Sequence, residues 1–193
     1  ARPPAHRRSD ERHAQANIAH HYDLSNDLFE TFLDPTMSYS SALFEDSGRT
    51  LHQAQVAKVE RILDRARVGP GSRVLEIGTG WGELAIRAAR RGATMHSVTL
   101  STEQRALARA RVAEAGVSDQ VTVSLLDYRS VKGTYDAIVS VEMIEAVGHA
   151  YWPTYFAKLD ELLALGGTVA IQAITMPHAR MLATRETYTW INK

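Results

Sequence analysis

The stretch RVLEIGTGWG, Arg73–Gly82, decides the fold, because an apolar run ends in an acid and is followed by three glycines at alternate positions. It predicts a first β-strand that turns directly into a helix, as in nucleotide-binding α/β domains. Gly78, Gly80 and Gly82 suit such a turn because glycine adopts positive φ angles and lets a ligand approach bare backbone. Their spacing, G-x-G-x-G, differs from the G-x-G-x-x-G of dinucleotide sites.

Strand and helix patterns alternate from this stretch towards the carboxyl end of the sequence. Such alternation predicts an α/β fold with a parallel sheet covered by helices on both faces. Right-handed crossovers and one reversal after the third strand give a Rossmann-like sheet of order 3-2-1-4-5, with a ligand above strands 1 and 4. The predicted strands are Arg73–Ile77, Thr94–Thr99, Val121–Leu126, Tyr135–Val141 and Thr168–Ala173, and the predicted helices are Ser9 or Asp10 to His21, Asn26–Leu33, Leu51–Arg67, Gly82–Arg91, Thr102–Ala115 and Tyr155–Ala164.

The sequence divides into four predicted segments. Residues 1–8 are interpreted as a disordered lead, and residues 9–67 as an N-terminal helical segment that contributes to the active site. Residues 68–175 form the ligand-binding α/β core, and residues 176–193 begin a lid or substrate region. Because the chain starts without Met and stops in an aromatic stretch, we expect a fragment that lacks the later strands and the rest of the lid.

Composition narrows the classes of function. With 193 residues the chain fits one domain, and its formal net charge of zero predicts no general affinity for nucleic acid. The absence of cysteine excludes disulfides, thiolate metal sites and cysteine nucleophiles, and the eight histidines show no metal-ligand spacing. No apolar run approaches the roughly 18 residues of a membrane span, and the first residues lack the apolar core of a signal peptide, so we expect a cytoplasmic protein.

Residues near the ends of the first three strands indicate which nucleotide binds. G-x-G-x-G is more typical of a nucleoside with an amino-acid tail, S-adenosylmethionine, and the second strand ends without the acid that holds a dinucleotide ribose. Gln104 is the nearest candidate for the ribose, although a capping box with Ser101 would explain both residues equally well. Asp127 is placed for the adenine amino group, with Tyr128 beside the ring, and Glu76 for the glycine turn or the methionine amine. A purely structural role is the alternative for each of Asp127, Tyr128 and Glu76.

Further motifs carry a resemblance to a known family. They are HYDLSNDLFETFLDPTMSYSSALFED (His21–Asp46), TLHQAQVAK (Thr50–Lys58), VLEIGTGWG, TLSTEQ (Thr99–Gln104) and IVSVEMIEAVGH (Ile138–His149). In this order and spacing they resemble the cyclopropane fatty acid synthase and mycolic acid methyltransferase family. The resemblance implies methyl transfer from S-adenosylmethionine, which leaves S-adenosylhomocysteine, to a cis double bond in a lipid acyl chain.

The resemblance also implies roles for individual residues. The segment His21–Asp23, including Tyr22, would line the reaction chamber, with Ile174 at the substrate pocket. Methyl attack on an alkene leaves a carbocation, which the aromatic faces of Tyr22, Tyr39 and Trp81 would stabilise. The implied cofactor contacts, taken together with the glycine turn and its acid, are Tyr39, Ser40, Glu76, Gly78, Gly80, Gly82, Thr99, Leu100, Gln104, Asp127 and Tyr128.

Removal of the departing proton requires a base, and here the sequence departs from the family pattern. In the resembled family the base is a bicarbonate ion held by the backbone at a cysteine, by a glutamate and by a histidine. Ser41 stands at the cysteine position, Gln172 at the histidine and Glu142 at a glycine or small residue, whereas Glu145 keeps the glutamate. We hypothesise that Glu142 replaces bicarbonate as the base, positioned by Glu145 and Gln172, and that repulsion between the two glutamates raises the proton affinity of one. The alternative is that bicarbonate still binds and Glu142 points elsewhere.

The altered base site bears on the product and on the partners. Proton loss from the new methyl group closes a cyclopropane, whereas a hydride shift before that loss gives the methylene branch of tuberculostearic acid precursors, which IQAITMPH (Ile171–His178) also suggests. Expected partners are unsaturated phospholipid acyl chains, the inner membrane face in transient peripheral contact, a second copy at the edge of strand five, and a reductase for the methylene product. Alternatives are a methyltransferase for a small polar molecule or RNA, and a truncated module that binds cofactor without catalysis.

Overall fold

A five-stranded parallel sheet forms the centre of residues 26–184, which are the residues that the computed structural model describes. The strand order is β3-β2-β1-β4-β5, and every neighbouring pair is parallel, which confirms the predicted Rossmann-like topology. The predicted lead and the helix expected to end at His21 lie outside the described residues. The strands are β1 (Arg73–Ile77), β2 (Thr94–Thr99), β3 (Val121–Leu125), β4 (Tyr135–Val141) and β5 (Leu163–Gln172).

Helices cover both faces of this sheet, as the alternating pattern predicts. They are α1 (Asn26–Glu30), α2 (Leu51–Arg65), α3 (Glu83–Arg90), α4 (Thr102–Glu114), α5 (Ile144–Val147), α6 (Trp152–Leu162) and α7 (His178–Thr184), with 3₁₀ turns at Tyr128–Ser130 and His149–Tyr151. On one face, α2, α3 and α4 bury Leu63, Leu84 and Val112 in one apolar cluster. On the other face, α6 buries Tyr155 and Leu162 in a second cluster.

The chain around Gly166 and Gly167 differs from the sequence prediction. β5 begins at Leu163 rather than Thr168, and α6 ends slightly earlier than predicted, at Leu162. The strand continues through both glycines with a shift of register against β4. Gly166 has a φ of +78°, and a Cβ on Gly167 would lie 2.9 Å from two carbonyl oxygens. The glycines therefore create an irregularity within a strand, which local sequence does not distinguish from a turn.

Residues 36–40, between α1 and α2, lie at the carboxyl ends of the strands and border the site. α1 ends at Glu30 rather than Leu33, and irregular chain then leads to α2, which a capping box of Thr50 and Gln53 begins. Within residues 26–184 no helix is long and apolar enough to cross a membrane, and no group of histidine and carboxylate side chains is arranged to hold a metal ion. The division into segments at residues 9–67, 68–175 and 176–193 stays a prediction.

Candidate active site

An open cleft lies at the carboxyl ends of β1, β2 and β4, where the strand order predicts a ligand. It contains about 1120 Å³ of space, part of which is continuous with bulk solvent. The loop Thr36–Ser40 closes one side, and the sheet with the glycine turn forms the other. The predicted site residues that line the cleft are Tyr39, Ser40, Glu76, Gly78, Gly80, Thr99, Leu100, Gln104, Tyr128 and Glu142.

The glycine turn joins β1 to α3 and supplies bare backbone to the cleft. Gly78, Gly80 and Gly82 all have positive φ angles, +98°, +51° and +91°. A Cβ on Gly80 would meet no atom within 4 Å, whereas a Cβ on Gly82 would lie 3.2 Å from that of Ala108. Gly80 therefore leaves room for the close approach of a ligand, and Gly82, which does not line the cleft, allows α3 to pack on α4.

The backbone N–H of Gln104 takes part in the cap of α4, and one end of its side chain has no hydrogen-bond partner among the described residues. The Ser101 hydroxyl caps α4 by accepting a 3.1 Å hydrogen bond from the Gln104 N–H. The side chain does not complete the capping box, because Gln104 Oε1 accepts from Thr99 Oγ1 at 2.9 Å. Among the described residues the Gln104 Nε2 donors have no partner, and the residue lines the cleft. The cap of α4 by Ser101 is therefore confirmed, and ribose binding by Gln104 stays a prediction.

Asp127 lies beside the cleft but does not line it. Arg129 holds both of its carboxylate oxygens, Nε to Oδ1 at 2.8 Å and Nη2 to Oδ2 at 2.6 Å. Burial raises the pKa of Asp127, but the hydrogen bonds and positive charge of Arg129 outweigh burial and lower it. Tyr128 does line the cleft, and the Arg129 guanidinium lies 5.5 Å from its ring centroid. Tyr128 therefore lies at the cleft and the Asp127 carboxylate is bound by Arg129, while the assignment of both residues to the adenine stays a prediction.

Aromatic side chains from the N-terminal segment and the glycine turn pack together at the cleft. The Phe29 ring lies 4.9 Å from that of Trp81 and 5.3 Å from that of Tyr39, between centroids. Trp81 is buried and donates from Nε1 to Asn26 Oδ1 at 2.8 Å, whereas Tyr39 is 48% exposed. Both Trp81 and Tyr39 line the cleft, so each has a packing role and a face near the site.

Glu76, at the end of β1, is a buried acid on the cleft. Its Oε2 accepts a hydrogen bond from the Ser97 hydroxyl, which also lies 2.7 Å from Thr79 Oγ1. Burial raises the pKa of Glu76 to about 8, although the Ser97 hydrogen bond and the charge of Lys58 act in the opposite direction. A cationic group in the cleft would favour ionisation of this carboxyl group.

The three residues at which the sequence departs from the family pattern meet in one hydrogen-bonded cluster. Glu142 Oε1 accepts from the Ser41 backbone N–H at 2.8 Å and from Gln172 Nε2 at 2.9 Å. Gln172 Nε2 also donates to the Ser41 carbonyl at 3.1 Å. The cluster thus joins the N-terminal segment to the ends of β4 and β5. Glu142 has a φ of +48°, a conformation that favours glycine, and it lines the cleft.

Glu145 and Ile174 form a contact of their own, outside the hydrogen bonds of this cluster. Glu145 is exposed, and its Oε1 accepts a short hydrogen bond from the Ile174 N–H. Neither residue lines the cleft, so the structure does not bring Glu142 and Glu145 into one pocket, and Glu145 does not position Glu142. His21, Tyr22 and Asp23 lie outside the described residues.

Lys58 on α2 is a cleft residue to which the sequence reasoning gave no role. It is 6% exposed and donates from Nζ to Ser40 Oγ at 2.6 Å. The sequence does indicate that Lys58 is buried, because it occupies the apolar face of an amphipathic helix, four residues from both Ala54 and Ile62. A lysine on such a face is rarely buried without a partner or a function.

Comparison with known proteins shows the family to which the chain belongs. Residues 9–193 match the family model described as mycolic acid cyclopropane synthetase. The chain is 62% identical over 187 residues to tuberculostearic acid methyltransferase UfaA1 of Mycobacterium tuberculosis, over 93% of this chain and 44% of that protein. It is 40% identical over 174 residues to cyclopropane-fatty-acyl-phospholipid synthase of Escherichia coli strain K12, over 90% of this chain and 43% of that protein.

Solved structures agree with this placement. The crystal structure of mycolic acid cyclopropane synthase CmaA1 complexed with SAH and CTAB matches with a TM-score of 0.82 at 34% identity, over 89% of this chain and 61% of that chain. Coclaurine N-methyltransferase, at 21% identity and a TM-score of 0.74, shares the class I methyltransferase fold. The chain spans less than half the length of tuberculostearic acid methyltransferase UfaA1 and of the Escherichia coli cyclopropane-fatty-acyl-phospholipid synthase.

Proposed function

This chain belongs to the mycolic acid cyclopropane synthetase family, and on that premise we propose that it is part of an S-adenosylmethionine-dependent lipid methyltransferase. Its acceptor is the cis double bond of an unsaturated phospholipid acyl chain, and its product is a mid-chain methylene-branched acyl chain, a tuberculostearic acid precursor. The 62% identity to a tuberculostearic acid methyltransferase supports this product. The observation that carries the proposal is the cluster of Ser41, Glu142 and Gln172 at the edge of the cleft.

The cleft fits the cofactor. At Gly80 a Cβ would project into open space, so the turn offers a ligand surface that a side chain would fill. Gln104 has amide donors available for ribose hydroxyls, and Tyr128 offers a ring for the base. A relative of similar fold was crystallised with SAH, the demethylated form of this cofactor. When bound, S-adenosylmethionine supplies a methyl group on a positively charged sulfur.

Apolar and aromatic side chains favour an alkene acceptor. An alkene is a weak nucleophile, so the protein must hold it in line with the methyl donor in a site that excludes water. Tyr39 and Trp81 line the cleft, where their rings would stabilise a carbocation by about 2 kcal/mol for a desolvated contact. Packing by Phe29 and the bond from Trp81 to Asn26 fix these rings before a substrate arrives.

Glu142 is placed to act as the base that ends the reaction. Both hydrogen bonds of its side chain reach Oε1, and among the described residues Oε2 has no hydrogen-bond partner. Oε2 is therefore free to accept a proton from the acyl cation while Oε1 is held in place. The positive φ of Glu142 costs on the order of 1 kcal/mol. Glycine would adopt this φ without strain, and the chain nevertheless has a carboxylate side chain at this position. Backbone strain of this kind is typical of functional sites.

Two further readings of the site remain proposals beside this one. Bicarbonate held by the Ser41 N–H and the Gln172 amide is the alternative base, with cyclopropane as the alternative product, as the name of the Escherichia coli relative indicates for that protein.

We also propose transient contact with the inner membrane face, because the substrate is a lipid, and a reductase that acts on the methylene product. Within the described residues β5 pairs with β4 alone, which supports pairing of a second copy at its outer edge.

A labelling experiment tests the function. The purified protein is incubated with S-adenosylmethionine that carries a trideuterated methyl group and with a monounsaturated phospholipid, and the acyl chains are analysed by mass spectrometry. We expect a methylene-branched chain that retains two deuterium atoms, since one leaves as the proton. A cyclopropane chain would support the alternative product. Cofactor binding without any labelled lipid would instead favour a module that binds but does not catalyse.

A further inference from the structure

Lys58 differs in charge from the other ionisable side chains of the cleft. Among the described residues that line the cleft, three are acids, Glu76, Glu83 and Glu142, and Lys58 alone carries a basic side chain. It is 6% exposed, so its ammonium group has lost most of its water. A buried charge requires a compensating partner, because desolvation of an ion is unfavourable unless a counter-charge or hydrogen bonds replace the water.

The protein itself supplies little of that compensation. The Lys58 ammonium has three N–H donors, and the described residues accept one hydrogen bond from it, at Ser40 Oγ. No carboxylate among residues 26–184 forms a salt bridge with it, although Glu142, Asp34 and Glu76 are near enough to act on its charge. Burial lowers the pKa of Lys58 to about 8, and these three acids oppose that change. Two donors therefore remain for an anionic group of a ligand in the cleft.

We propose that Lys58, together with the hydroxyl of Ser40, binds the α-carboxylate of the amino-acid tail of the cofactor. The inference rests on the proposed function, since it takes S-adenosylmethionine as the ligand. That tail carries an ammonium and a carboxylate group on one carbon, and the cleft offers an acid, Glu76, and a base, Lys58, for two such groups. An acidic cleft without Lys58 would repel the carboxylate.

Paired ligands test this assignment directly. Isothermal titration calorimetry compares S-adenosylhomocysteine with its decarboxylated analogue, which keeps the nucleoside, the sulfur and the amine. For the wild type we expect the carboxylate to strengthen binding by about 10- to 100-fold, the range for hydrogen bonds to charged groups. In Lys58→Met this preference should fall to within about threefold, while affinity for the decarboxylated analogue stays as in the wild type. Lys132→Met, at an exposed lysine, serves as the matched control and should keep the preference.

Several outcomes would overturn the assignment. Equal affinity of the wild type for both ligands would show that no group in the cleft recognises the carboxylate. Equal weakening of both ligands by Lys58→Met would show that Lys58 acts through the shape of the cleft. Bicarbonate that competes with S-adenosylhomocysteine in the wild type but not in Lys58→Met would assign Lys58 to that ion instead. If the wild type binds neither ligand, it is the proposed function that fails.

Discussion

The Glu142 carboxylate and the backbone N–H of Ser41 are joined by a 2.8 Å hydrogen bond between residues 101 positions apart in the chain. This bond ties the N-terminal segment to the end of β4, and Gln172 from β5 donates to the same carboxylate oxygen. The three residues that differ from the family pattern are therefore joined to one another by hydrogen bonds. A carboxylate held at one oxygen and free at the other is suited to proton removal.

Gln172→Leu is expected to slow product formation without weakening cofactor binding. The substitution removes the amide that holds Glu142 Oε1 and the Ser41 carbonyl, so the carboxylate loses a fixed position. A hydrogen bond to a charged group is worth about 1.5–3 kcal/mol, so we expect a fall in kcat of about 10- to 100-fold. Steady-state kinetics and calorimetry with S-adenosylhomocysteine measure the two effects. Gln120→Leu, before β3, is the control, and equal effects of both variants would contradict the role of Gln172.

Two glycine substitutions should separate ligand approach from helix packing. Gly82→Ala places a methyl group 3.2 Å from the Ala108 Cβ at a φ of +91°, so we expect a loss of about 1–3 kcal/mol in the free energy of unfolding. Gly80→Ala meets no atom within 4 Å, and its strain is about 1 kcal/mol. Its main effect should be on S-adenosylhomocysteine affinity, by about tenfold. Chemical denaturation and calorimetry on both variants check this, and affinity unchanged by Gly80→Ala would count against a ligand at that glycine.

Arg111 on α4 is expected to hold the N-terminal segment against the glycine turn. Its guanidinium donates to the carbonyls of Pro35 and Thr36, at 3.0 Å each, and to that of Trp81 at 3.2 Å. Arg111→Met should therefore loosen the loop that closes the cleft and weaken S-adenosylhomocysteine binding by about tenfold. Hydrogen exchange at residues 35–41 should become faster in this variant. Arg109→Met, on the exposed side of the same helix, should change neither quantity.

The buried carboxyl group of Glu76 predicts a pH dependence of stability. Its pKa in the folded protein is raised from 4.5 to about 8, so its contribution is fully present below pH 4.5 and is lost as the pH rises to about 8. The loss amounts to at most about 1.4 kcal/mol per pH unit. Glu76→Gln should remove this dependence, because its amide stays neutral. Chemical denaturation between pH 5 and 8 measures it, and parallel pH profiles of the wild type and Glu76→Gln would disprove the assignment to Glu76.

Local patterns in the sequence account for the centre of the fold. Alternating glycines after an apolar run at Arg73–Gly82 predict the β1 turn, because the backbone there needs positive φ, and the rules of crossover connections then fix the strand order. The irregular start of β5 escaped prediction, since Gly166 and Gly167 have the composition of a turn. What makes them part of a strand is the pairing of β5 with β4, which is distant in the sequence.

The site was predicted less completely, because its contacts join distant parts of the chain. Ser41, Glu142 and Gln172 were identified as departures from a pattern, but only the folded chain shows that they are hydrogen-bonded to one another.

 Asp127 was assigned to adenine from its position after β3, yet Arg129, two residues later, holds its carboxylate. That local partner was visible in the sequence, whereas the carboxylates near Lys58 come from three separate elements.

The most direct test of the central claim is product formation by the wild type and by Glu142→Gln in buffer depleted of bicarbonate. We expect the wild type to stay active and Glu142→Gln to lose about 10²- to 10⁴-fold in rate, with S-adenosylhomocysteine affinity unchanged. Added bicarbonate should not restore the variant. A wild type that stops without bicarbonate and recovers when it is added, beside a Glu142→Gln variant of full activity, would contradict the role of Glu142 as the base.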